Sequence, residues 1–169
     1  MEKVRIDDVE DELSPLGVHS VRKPVSAVLG ATEFAMNYFE LEPGESFSGG
    51  LHTHHDQEEV FYVEEGTATF DVGIERESVE VAADELIRFP PGEFQEGYND
   101  GSETVVGWAI GAPGASHDWD ALQSRIYCPE CEEETTQDTT MVDGTFQFTC
   151  TECGAEQPRV ARRRLRRSR

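Results

Sequence analysis

Apolar and polar residues alternate in short runs along most of the chain. The runs are Phe34 to Leu41, Glu59 to Val63, Thr67 to Val72, Ser78 to Val81, Glu85 to Phe89 and Thr104 to Ile110. Turn formers separate them at Pro43-Gly44, Glu65-Gly66, Pro91-Gly92 and Asn99-Asp100-Gly101. Many short strands with regular turns predict an all-β sandwich or barrel. No helical period lasts long enough to predict a sizeable helix. Farther on, Thr139 to Val142 and Thr145 to Phe148 flank Asp143-Gly144, a two-residue hairpin signal. The pattern divides the chain into an N-terminal segment packing on the barrel (1–29), the barrel (30–116), a connector (117–126) with a helical turn around Trp119, a cysteine-bearing hairpin unit (127–158) and an arginine-rich tail (159–169).

Candidate chemistry sits inside the β pattern, in His52-Thr53-His54-His55-Asp56-Gln57-Glu58-Glu59. Residues two apart on a strand share a face, so His52 and His54 point the same way. Glu59 shares parity with Phe61 and Val63, which aims it at the core; Glu58 goes with Val60 and Tyr62. A carboxylate on a core face needs a counter-charge or a metal, because burying it bare is costly. Two imidazoles and one carboxylate are common ligands of a divalent transition metal. The alternative is a metal-free polar network. His55 has the other parity and is expected at the rim.

These residues resemble the first cupin motif, His-x-His followed by Glu and then Gly. Four residues separate His54 from Glu59 and six separate Glu59 from Gly66. Gly44 lies eight before His52, which makes the loop Glu45 to Leu51 two residues longer than in the motif. The second cupin motif is matched by Pro90-Pro91-Gly92 and Asn99, with Asp84 in place of its leading Gly and Gln95 in place of its His. The resemblance implies a cupin (double-stranded β-helix) barrel. It also implies a metal at His52, His54 and Glu59, with iron, manganese, zinc and nickel all suited. Gln95 takes the fourth corner, either ligating through its carbonyl oxygen or hydrogen-bonding a metal-held water.

The four cysteines are Cys128, Cys131, Cys150 and Cys153, two Cys-x-x-Cys pairs flanking the predicted hairpin. The spacing resembles a zinc ribbon, with Zn2+ on four thiolates. So closed a ligand shell leaves no catalytic vacancy and points to a structural role, with contact to a partner as the second reading.

Charge completes the picture. The 169 residues hold 35 acidic and 14 basic groups, a net of −21. Seven of the twelve arginines lie between Arg159 and Arg169, so residues 1–158 carry 35 acidic against seven basic groups, a net of −28. A lysine-poor, carboxylate-covered surface repels itself unless salt screens it, and resembles the cupin-domain proteins of halophilic archaea. The acidic body and high salt both weigh against nucleic-acid binding by the tail, which is left open as a lesser alternative. No apolar stretch approaches a membrane span and the N-terminus lacks an apolar signal core, so a cytoplasmic location is expected. Two functions remain. One is a metal-dependent enzyme acting on a small oxygen-rich substrate in the barrel. The other is a ligand- or metal-sensing module whose ribbon and basic tail contact a protein or nucleic-acid partner. Either is compatible with a homodimer.

Overall fold

A computed structural model describes residues 1–12, 14, 16–116, 118–142 and 145–160. It consists almost wholly of antiparallel strands in two sheets. The first is built from β1 (Val21–Lys23), β2 (Ala35–Leu41), β9 (Val105–Ala112), β4 (Glu58–Glu65) and β7 (Glu85–Phe89), in that order. The second runs β13 (Glu156–Val160), β12 (Thr145–Cys150), β11 (Glu133–Val142), β10 (Leu122–Cys128), β3 (His52–His54), β8 (Gln95–Tyr98), β5 (Thr67–Val72) and β6 (Glu77–Ala82). One short helix, α1 (Val25–Val28), lies between β1 and β2. The all-β expectation holds, and the architecture is a double-stranded β-helix followed by a small four-cysteine ribbon.

Alternation explains the core. Along β4, Phe61 and Val63 are buried while Val60 and Tyr62 are not; along β9, burial switches at every residue. Inward residues of both sheets meet around Phe39, Leu41, Phe61, Val63, Phe70 and Phe89. The longer loop before β3 has a structural use. It carries Phe47 into this core, 6% exposed, stacked on Phe70 at 5.9 Å between ring centroids. Asp84 adopts a φ of 67°, so it takes the left-handed turn that the motif's glycine would take. Gly66 cannot be replaced as readily: at φ 80° a Cβ there would meet the Thr104 carbonyl oxygen at 2.8 Å.

Within the segment read as a connector, a 3-10 turn at Trp119–Ala121 leads into β10, which is a strand of the second sheet from Leu122 onward. β10 pairs with β3 in the register Leu122↔His54, Gln123↔Thr53 and Ser124↔His52, and with β11 on its other side. The ribbon therefore extends the barrel's own sheet. β11 and β12 flank Asp143-Gly144 with Val142↔Thr145 paired, the two turn residues themselves lying outside the described ones. The arginine-rich tail from residue 161 also lies outside them. Among the described residues no helix is long and apolar enough to cross a membrane.

Candidate metal centres and cavity

β3 and β4 bring His52, His54 and Glu59 together. The two imidazoles meet edge to face with centroids 5.1 Å apart, and Glu59 Oε2 lies 3.6 Å from His54 Nε2. The donor atoms of all three residues fall within 4.8 Å of one another. His52 Nδ1 lies 2.9 Å from the Gly50 carbonyl oxygen. A carbonyl can only accept, so Nδ1 carries the proton and Nε2 keeps the lone pair that a metal would take. Gln95, paired opposite His52 in β8, completes the group. Its Nε2 donates to Glu59 Oε2 at 2.7 Å and sits 3.3 Å from His52 Nε2.

Two features of this group fit a divalent cation. Burial raises the Glu59 carboxyl to about 7, against the opposing pull of the Gln95 hydrogen bond. Its side chain is 18% exposed, toward the cavity described below, and no lysine or arginine among the described residues pairs with it. A desolvated carboxylate with no lysine or arginine beside it gains from a metal ion. The second feature is Gln95 Oε1, buried and without a hydrogen-bond partner in a side chain 2% exposed. An unmet buried acceptor costs about 1–3 kcal/mol, which a cation within reach would offset. His55 is exposed at the rim, its Nε2 2.8 Å from Gln123 Oε1. Asn99, from the second motif, is a peg: 1% exposed, it donates to the carbonyls of Leu41 and Glu103 at 2.8 Å.

The four cysteines also converge. Cys128 Sγ lies 3.7 Å from Cys153 Sγ, Cys131 Sγ lies 3.9 Å from Cys150 Sγ, and all four are free thiols. Disulfide sulfurs sit at about 2.0 Å, whereas a tetrahedron with 2.3 Å metal–sulfur bonds has edges of about 3.8 Å. The spacing is that of a metal shell. Thr135 Oγ1, 3.3 Å from Cys150 Sγ, leads the influences that lower this thiol to about 6. Gln157 Nε2 donates to Cys128 Sγ at 3.6 Å.

Residues 37–110 match the family model described as "Cupin domain". The chain is similar to that family over this stretch, which spans less than half of its length. Similar solved structures agree on the fold. A sugar phosphate isomerase of the cupin superfamily from Silicibacter pomeroyi is 17% identical, covers 92% of each chain and superposes with a TM-score of 0.60. The polyketide cyclase RemF from Streptomyces resistomycificus is 25% identical over 67% of this chain and 79% of its own, with a TM-score of 0.56. An oxalate decarboxylase from Lactobacillus farciminis is 18% identical, covering 70% of this chain and 34% of its own, with a TM-score of 0.55. No curated protein matches the chain.

Sequence reasoning did not reach the interior of the cupin barrel. A cavity of about 620 Å³ opens on His52, His54, Glu59 and Gln95. Its walls come from three parts of the chain: the N-terminal segment with His19 and Arg22, the barrel with Asn37 and Phe61, and the ribbon side with Arg125 and Phe146. The floor between Glu59 and Asn37 is made of small residues, because Glu59 pairs across to Gly111 and Ala35, and Phe61 to Ala109 and Asn37. Only the alternation of β9 hinted at this, through small residues at every second position from Gly107 to Gly111.

Proposed function

We propose that the protein is a metal-dependent cupin enzyme acting on a small oxygen-rich substrate held in the barrel cavity. The observation that carries this reading is the opening of a 620 Å³ cavity directly on His52, His54, Glu59 and Gln95. In this reading His52, His54 and Glu59 hold one divalent transition metal, with Gln95 at the fourth corner, and Zn2+ occupies the four cysteines. The barrel metal supplies Lewis acidity toward a substrate oxygen. The chain's own residues do the rest: Gly50 fixes the His52 tautomer, Gln95 orients the Glu59 carboxylate, and Phe61 and the apolar wall limit water. The likeness to a polyketide cyclase at 25% identity supports an organic substrate. The protein works in a salt-rich cytoplasm, on the strength of its charge of −28 over residues 1–158.

A second reading, a sensing module, draws on one observation: β10 joins the ribbon to the strand that bears both histidines. Elemental analysis of protein purified in molar KCl tests the first reading. Two metals per chain are expected, one of them zinc, and His52→Ala should lose only the other. A wild-type protein with a single metal equivalent per chain, after exposure to iron, manganese, zinc and nickel, would overturn the assignment of the barrel site.

A further inference from the structure

We propose that the cavity binds a small organic anion, its charged group held by Arg22 beside Asn37 and its oxygen-bearing end reaching His52, His54 and Glu59. This rests on the reading of the barrel as a metal-binding substrate site, and names the class of molecule it takes.

The argument starts from charge. Over residues 1–158 there are 35 carboxylates and seven basic groups, so an anion can be held only where one of those few cations faces a cavity. Arg5, Arg76 and Arg88 each have a carboxylate within 4.0 Å. Lys3, Lys23, Arg22 and Arg125 have none among the described residues; of these four, Arg22 and Arg125 line the cavity, where Glu12 also lies and acts on Arg22 from beyond ion-pair distance. Arg125 is largely engaged by the ribbon, donating to Thr136 Oγ1 at 3.1 Å and to the Glu134 carbonyl at 2.7 Å. Arg22 is not. Its one side-chain hydrogen bond goes to Asn37 Oδ1 at 3.0 Å, although a guanidinium offers five donors. Burial pulls its pKa below the usual value, with Glu12 opposing, so the cation is substantially desolvated. A desolvated guanidinium is costly unless paired. Its planar fork suits a carboxylate or phosphate in two-pronged contact.

Position supports the pairing. Arg22 lies opposite Phe39 in the sheet register, and Phe39 points into the core. Its guanidinium therefore turns inward and meets Asn37. Asn37 lies two strands over and two residues along from Glu59, a Cα separation on the order of 12 Å by strand spacing. Between them lie Ala35, Ala109 and Gly111, which leave room for a molecule to bridge the two ends. His19 lines the same end of the cavity, 5% exposed, with Nδ1 on the Ser46 carbonyl and Nε2 without a hydrogen-bond partner. Because Nδ1 donates to that carbonyl, Nε2 is an acceptor and suits a hydroxyl of the bound molecule, leaving its charged group to Arg22.

The test is calorimetry on the full chain at constant chloride, with phenyl phosphate and benzoate as probes, alongside elemental analysis. Wild-type protein should bind at least one probe; preference for the first assigns a phosphate ester, preference for the second a carboxylic acid. Arg22→Gln should weaken binding about 10- to 100-fold, the range for a charge-assisted contact. Asn37→Asp places a carboxylate beside Arg22 and should abolish probe binding without lowering the melting temperature, which guards against a trivial folding defect. Metal content should stay unchanged in both variants. Failure of both probes to bind wild type, or equal binding by Arg22→Gln, overturns the proposal. A wild type lacking barrel metal while probe binding still depends on Arg22 would sink the metal reading and leave the anion site standing.

Discussion

Unloading the ribbon should weaken the barrel site some distance away, and the size of the effect follows from how β3 is held. β3 spans only His52–His54. On one side it has a single registered pair, His52↔Gln95. On the other it has three with β10, and two backbone bonds clamp the ends: Arg125 N–H to the Leu51 carbonyl at 2.8 Å and His55 N–H to the Ala121 carbonyl at 2.9 Å. β10 ends at Cys128. Cys128→Ser should empty the four-thiolate site and free the C-terminal end of β10. If fraying reaches β3 and both clamping bonds are lost, at about 1 kcal/mol each, the two histidines must be ordered at a cost of about 2 kcal/mol when metal binds. Barrel affinity should then fall roughly 30-fold. The assay is competition for cobalt or iron by a chelator of known affinity, with hydrogen exchange following the amides of β3 and β10. Exchange in β10 that rises to the unprotected limit while barrel affinity stays at the wild-type value would refute the coupling.

Other outcomes follow from single positions. Gln95→His should tighten the barrel metal and change which ion is preferred, because imidazole is the better donor to first-row metals; metal analysis after exposure to equal iron, zinc and manganese reads this directly. Glu59→Ala should leave barrel metal near background while zinc stays at one equivalent, again by elemental analysis. Ala109→Leu should fill the floor between Glu59 and Asn37, lowering probe binding at least tenfold on calorimetry with metal content unchanged, since added methylenes in that space compete with the ligand. Dialysis from molar KCl to low salt should unfold the protein, seen by circular dichroism, because removing counterions exposes the self-repulsion of a body at −28.

Much of the barrel was legible because alternation is a short-range signal. Phe61 and Val63 mark the inner face of β4, and parity alone selected Glu59 over Glu58; the structure buries the former's face and turns Glu58 toward Arg88. The cysteine cluster was legible because its spacing is local on both sides of a hairpin. The strand β10 was not. Leu122-Gln123-Ser124-Arg125-Ile126 has weak alternation, and its strand character comes from edges offered by β3 and β11 rather than from its own propensity. The cavity was illegible for a related reason. Arg22 and Asn37 come from the successive strands β1 and β2 and Arg125 from β10, some hundred residues on, and nothing near any of them in sequence signals that they share a wall.

The placement of β10 argues against treating the ribbon as a detachable handle. A unit of that kind would join the barrel through a loop and leave β3 as an edge, open to pairing with other chains. Here β10 and β11 cover that edge, and the ribbon side also contributes Phe146, Phe148 and Arg125 to the cavity that meets the histidines. A chain cut near Ser116 would thus lose a wall of the cavity and both clamping bonds on β3 together. Four thiolates can supply what a unit of this size cannot bury in hydrophobic core. The same shell that folds the ribbon would then also set the rigidity of the strand presenting His52 and His54, so metal at one centre should raise the affinity for metal at the other. Because such coupling is reciprocal, loading the barrel should in turn tighten zinc in the ribbon by the same factor. A chelator titration of zinc, run with the barrel loaded and with Glu59→Ala, measures that factor from the opposite side; equal zinc affinities in the two proteins would show that the shared sheet transmits nothing.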